Sequence, residues 1–178
     1  SYGKMLSDKQ RIFVSLDKKE QKPVLIIGFV VFVIILIGYY IFKEFIDLDI
    51  IKSKLLDKEG ISKANFIYVA IYISIVNSFL EEFFFRGYVF GKLRDQASRA
   101  FAYLYSSGLF ALYHLAIMGT WFSPLIFVLA MLGLFIGGLI FDYLTEEFAS
   151  MQASWFVHLM ANLAINTVGF FMLDIIHI

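Results

Sequence analysis

Asn77-Ser-Phe-Leu-Glu-Glu-Phe-Phe-Phe-Arg-Gly-Tyr-Val-Phe90 sets Glu81, Glu82 and Arg86 inside a stretch otherwise apolar enough to cross a membrane. An ionisable side chain at bilayer depth costs at least ~2.5–3.5 kcal/mol on insertion scales, and such groups mark functional sites by default. Three within six residues need partners, and later apolar segments offer His114, His158 and Asn162. The expected fold is therefore all-α: a polytopic membrane helical bundle that gathers these groups into one buried polar pocket.

Composition agrees with that class. The chain is 60% hydrophobic with a mean hydropathy of +0.78, well above a soluble domain. It has 2 prolines and no low-complexity linker, so one bundle of 178 residues is expected. A formal net charge of zero suggests no nucleic-acid partner. The absence of cysteine excludes disulfides, thiolate metal ligands and a cysteine nucleophile. The first apolar run begins only at about Pro23 and outlasts a signal-peptide core, so no cleavable signal is expected. Residues 1–22, with Lys4, Lys9, Arg11, Lys18, Lys19 and Lys22, read as a basic juxtamembrane segment, and residues 23–178 as the bundle.

About five spans are expected, near Pro23–Phe42, Ala64–Lys92, Ala100–Met118, Leu125–Leu144 and Met151–Leu173. A span needs about 20 residues to cross ~30 Å of hydrocarbon. Between the first two, Ile50, Ile51, Leu55 and Leu56 alternate with Lys52, Lys54, Asp57 and Lys58, which predicts an interfacial helix stopped at Glu59-Gly60. Gly119–Ser123 reads as a tight turn, with Pro124 opening the next helix. Gly133, Gly137 and Gly138 read as a small face for helix packing. Asp142 is expected near the end of the fourth span, Glu146 and Glu147 beyond it in a solvated loop, and His177 at the interface without a role. With the N-terminus cytoplasmic, nine Lys and Arg lie inside against five outside, all five in residues 43–63.

Spacing divides the polar residues by task. Glu82 and Arg86 are four apart and face each other on a helix, whereas Glu81 points about 100° away. Arg86 can thus neutralise Glu82 and leave Glu81 free for chemistry. His158 and Asn162 share a face, and Asn166 continues it. His114 taken alone reads as a core residue, and Ser106-Ser107-Gly108 as a packing element. A Ser107–His158 dyad is the weaker enzyme reading: Tyr105 stands where a G-x-S-G pattern needs glycine, and the dyad leaves Glu81, Glu82 and Arg86 unexplained. No paired aspartates sit mid-span, and no internal repeat suggests an ion carrier.

Glu81-Glu82-x-x-x-Arg86, Phe110-x-x-x-His114 and His158-x-x-x-Asn162 together resemble the signature of the CAAX-protease and bacteriocin-processing (CPBP, or Abi) family. That family includes the Ras-converting CAAX prenyl endopeptidases. The resemblance implies an intramembrane endopeptidase acting on a membrane-associated peptide or protein, in a bacterial or archaeal plasma membrane. It implies Glu81 as general base on a water shared with His114, His158 and Asn162 as oxyanion donors, and Glu82 and Arg86 as structural support. No cofactor is required in this reading. A divalent metal such as zinc ranks second, with Glu81, His114 and His158 as its ligands, because no H-E-x-x-H helix occurs. The alternative function is a membrane peptide-binding or bacteriocin-immunity protein that does not cut. Substrate identity and oligomeric state are not legible.

Overall fold

A computed structural model of the chain describes residues 15–118 and 122–176. Among these residues there are six helices: α1 (Lys18–Phe42), α2 (Leu48–Glu59), α3 (Phe66–Gln96), α4 (Arg99–Met118), α5 (Pro124–Glu147) and α6 (Met151–Met172). The all-α expectation holds. Most of the basic segment expected over residues 1–22 lies outside the described residues, as do positions 119–121 of the expected turn and His177. Lys18–Lys22 belong to α1.

Four helices, α1 extended to Phe45, α3, α5 and α6, are long and apolar enough to cross a membrane, and the chain is an integral membrane protein. The third expected span is present as the 20-residue α4 but is not among these four. Arg99, Ser106, Ser107, Gly108 and His114 dilute its apolar character. Leu25, Ile34, Tyr68, Leu112, Leu125 and Ile165 are among the large apolar side chains left exposed around the bundle, as expected for a surface that meets lipid rather than water.

Local sequence sets the ends of the helices. The α1 N-terminus is closed by Glu20, whose Oε2 accepts from the Asp17 backbone N–H at 2.9 Å. Asp47 caps α2 by accepting from the Ile50 N–H at 3.0 Å. Gly60 ends α2 in the left-handed region at φ 63°, with Ile61 N–H returning to the Leu55 carbonyl at 2.8 Å. Pro124 stands at the start of α5, where its missing N–H costs nothing. Ser150 caps α6 through the Gln152 N–H.

α1 packs along α6, α4 along α5, and α6 also lies against α3 and α5. The central core joins Val24, Phe85, Phe110, Phe141, Leu144 and Val157 from five helices. Of the expected small face on α5, only Gly138 is used within the chain. A β-carbon there would lie 2.9 Å from the Ser107 Cα, whereas one on Gly133 or Gly137 would meet nothing within 4 Å. Gly138 is one residue, about 100°, further round the helix, which turns it toward α4 and leaves the other two facing outward.

α3 is not a uniform α-helix. It widens into π turns over Tyr72–Asn77 and Phe83–Phe90, with an α-helical segment over Ser78–Glu82 between them. Such turns occur often at functional sites. Here they flank the acidic pair on both sides.

One expectation for α5 fails. Glu146 and Glu147 are not in a solvated loop, because the helix runs to Glu147; Asp142 lies near its end, as expected, and is fully buried. Glu146 binds Arg94, Arg99 and the Tyr103 hydroxyl, an arrangement that ties α3, α4 and α5 at one end. Acidic residues near a helix end read as solvated until their partners, here more than 35 positions away in sequence, are known.

Candidate active site

α3 supplies Asn77, Glu81, Glu82 and Arg86. The two carboxylates are adjacent in sequence but differ in surroundings. Glu82 is fully buried, and its Oε1 accepts from Arg86 Nη1 at 3.0 Å and from His158 Nδ1 at 2.9 Å. Arg86 is buried with it, 4.4 Å from the Phe110 ring and 5.0 Å from the Phe141 ring. Its Nη2 donates to the Gly138 carbonyl at 3.2 Å, and its Nε lies 3.3 Å from Asp142 Oδ1. Burying an ion costs several kcal/mol, and only close pairing with further hydrogen bonds offsets that. Stacking over aromatic faces adds roughly 2 kcal/mol when desolvated.

Glu81 has no guanidinium. Its Oε1 accepts from Asn77 Nδ2 at 2.6 Å, one helical turn back. Its Oε2 faces His158 Nε2 at 3.6 Å and His114 Nε2 at 3.8 Å. Both imidazoles are aimed by their other nitrogen. His114 Nδ1 is 2.9 Å from the Phe110 carbonyl, which can only accept, so that nitrogen carries a proton. His158 Nδ1 is likewise the donor to Glu82, and its ring stacks on Phe141 with centroids 4.9 Å apart. Two Nε2 atoms therefore converge on one carboxylate oxygen from α4 and α6.

The expected division of Glu82–Arg86 from Glu81 is thus present, and Glu81, His114 and His158 come together. Asn162 sits one turn beyond His158 and donates to the Ile73 carbonyl at 3.3 Å. Asn166, a turn further, donates to the Ala70 carbonyl and the Ser74 hydroxyl, pinning α6 to α3. Ser107 does not join His158. Its hydroxyl donates to Asp142 Oδ2 at 2.9 Å, as Ser106 does to Oδ1 at 2.9 Å. Asn77 was legible in principle, being four residues before Glu81; Asp142 was not.

The histidine–carboxylate group carries the donor types of a metal site. Its donors are of a kind zinc accepts, and both imidazoles have an outer hydrogen-bond partner. Among the described residues, however, no group of three or more His, Asp and Glu is disposed to hold a metal ion.

Beside this centre lies an apolar cavity of about 570 Å³ between α1, α2, α3, α5 and α6. Ile73 and Asn162 line it, and Ile51 and Leu55 of α2 contribute to its wall. The Asn162–Ile73 contact therefore borders both cavity and polar centre.

A family model described as type II CAAX prenyl endopeptidase, Rce1-like, matches residues 63–164, more than half of the chain. The chain belongs to the Rce1-like family. The matched region runs from just before α3 to the middle of α6 and contains all of the residues that converge here. α1 and α2 lie outside the match to the Rce1-like model. No curated protein and no solved structure matches the chain.

Proposed function

We propose that this Rce1-like protein is an intramembrane endopeptidase in which Glu81 activates the attacking water. The observation that carries the reading is the convergence of His114 Nε2 and His158 Nε2 on the one Glu81 oxygen that Asn77 leaves free.

Protonation at His114 Nδ1 leaves an acceptor lone pair on its Nε2. A water donating one hydrogen to Glu81 Oε2 and the other to His114 Nε2 presents its own lone pair to a peptide carbonyl. Attack transfers a proton to Glu81 and forms the C–O bond. Collapse of the tetrahedral intermediate breaks the C–N bond, and Glu81 returns the proton to the leaving amine. His158 donates from Nε2 to the oxyanion when that nitrogen carries a proton. Asn162 has a second amide hydrogen beyond the one given to Ile73, and it donates there too. No step passes through a metal.

The apolar cavity suits a substrate with a lipid or strongly apolar segment, which its position next to Asn162 would hold beside the carbonyl to be cut. A CAAX-type substrate is the favoured class. The bundle crosses the bilayer five times, α4 included, with the N-terminus cytoplasmic and α2 in the interface. Lys92 then marks the cytoplasmic end of α3, roughly 16 Å from Glu81 along the helix.

The test is cleavage by purified protein in nanodiscs of matched CAAX-type peptides with and without a prenylated cysteine. Cleavage of the prenylated form, faster than of the bare form, is expected. Binding of both without any cleavage, by protein shown to be folded, would overturn the peptidase reading in favour of a peptide-binding protein.

A further inference from the structure

Asp142 lies in none of the three spaced motifs, yet it is the residue on which the buried network turns. It is fully buried on α5, accepts from two serine hydroxyls of α4, and lies 3.3 Å from Arg86 Nε as an ion pair. Pairing Glu82 with Arg86 does not call for it. A second buried carboxylate against one guanidinium adds a desolvation cost that the first pair does not need.

The geometry at Arg86 shows what the extra carboxylate does. A guanidinium committed to one carboxylate binds it fork to fork, one N–H to each oxygen. Arg86 does not bind Glu82 that way. Only Nη1 reaches Glu82, on Oε1, while Nη2 goes to the Gly138 carbonyl and Nε faces Asp142. Glu82 Oε2 and Arg86 Nε are each left without a hydrogen-bond partner among the described residues, so Asp142 holds the guanidinium by charge rather than by a hydrogen bond. α5 thus draws the guanidinium away from two-point pairing, and Glu82 keeps the acceptor strength that it turns on His158 Nδ1.

We propose that Asp142 is a positioning residue: by holding Arg86 out of two-point pairing with Glu82, it preserves the Glu82–His158 hydrogen bond that aims His158 Nε2 at Glu81. The catalytic half of this inference rests on the peptidase reading; the geometric half does not. Ser106 and Ser107 have a place in it, since their hydroxyls fix the rotamer of Asp142. Gly138 has one too: lacking a side chain, it lets α4 approach closely enough for those hydroxyls to reach.

The experiment compares wild type with Asp142→Asn, which keeps size and an acceptor but removes the charge. Protein labelled with 15N-histidine in detergent micelles should show a low-field Nδ1-bound proton for His158, identified by its loss in His158→Gln. In Asp142→Asn that resonance should move upfield while that of His114 stays. With a cleaved peptide in hand, kcat should fall roughly tenfold, the scale for loss of an outer-shell orienting group, with KM unchanged. A merely structural role predicts a lower melting temperature with both the resonance and kcat of the folded fraction intact, and that result overturns the inference. If Asp142→Asn does not fold, Ser107→Ala, which takes one donor from Asp142, should move the same resonance upfield by less; no movement overturns the inference. Absence of cleavage in wild type would count against the peptidase reading alone, because the resonance decides the positioning role either way.

Discussion

Glu81 and Glu82 are neighbours in sequence and opposites in environment. Glu82 is closed off: a guanidinium and an imidazole meet on one of its oxygens, and aromatic rings cover the cluster. Glu81 has one oxygen held by Asn77 and one turned toward two imidazole nitrogens at 3.6 and 3.8 Å, too long for direct hydrogen bonds and suited to a bridging group. One carboxylate completes a fixed scaffold, and the other keeps an oxygen that no guanidinium occupies. A helix can do this with adjacent residues because they lie about 100° apart and face different neighbours.

Substitutions at the two positions should therefore fail in different ways. The largest expected effect is at Glu81. Glu81→Gln should lower cleavage by at least ~10³-fold, within the range for loss of a general base, while the melting temperature stays close to wild type. The contrast is sharpest with Arg86→Gln. That change leaves Glu82 and Asp142 buried without a cation and should destabilise the protein by about 3–5 kcal/mol, read as a lower melting temperature in detergent. If Arg86→Gln were as stable as wild type, the closed cluster would not be the scaffold described. Asn162→Ala removes one of two proposed oxyanion donors and should cost ~10²-fold in kcat, with a smaller change in KM; a change in KM alone would move Asn162 from the reaction to the cavity wall. The smallest effect belongs to Ser107→Ala, which removes one of the donors to Asp142 and should keep cleavage within roughly threefold of wild type. Complete loss of cleavage in a folded Ser107→Ala protein would restore the serine–histidine reading.

Much of this contrast was legible in the sequence, because helical spacing is itself geometry. The four-residue spacing of Glu82 and Arg86 placed them as a pair, and their offset from Glu81 separated the two tasks. The stop at Gly60 and the start at Pro124 followed from backbone constraints particular to those residues. What could not be read was pairing between helices. Nothing local ties Asp142 to Ser106, 36 positions earlier, or distinguishes Gly138 from Gly133 and Gly137. Which face of α5 meets α4 is decided by packing, and that single fact puts Asp142, expected only near the end of a span, in the middle of the network. The π turns of α3 were equally invisible, since no proline marks either segment. Counting spans by hydropathy was weakest for α4, whose polar residues lower its score because they serve the site and the Asp142 cluster.

In the proposed mechanism Glu81 and water, rather than a bound metal, open the peptide bond. That mechanism is tested most directly by cleavage of a quenched fluorescent peptide library with purified wild type and Glu81→Gln side by side, each with and without a chelator. Cleavage by wild type that the chelator leaves unchanged and that Glu81→Gln abolishes is expected. Full activity in a folded Glu81→Gln protein would contradict it, and loss of wild-type activity with chelator, restored by zinc, would contradict the metal-free mechanism.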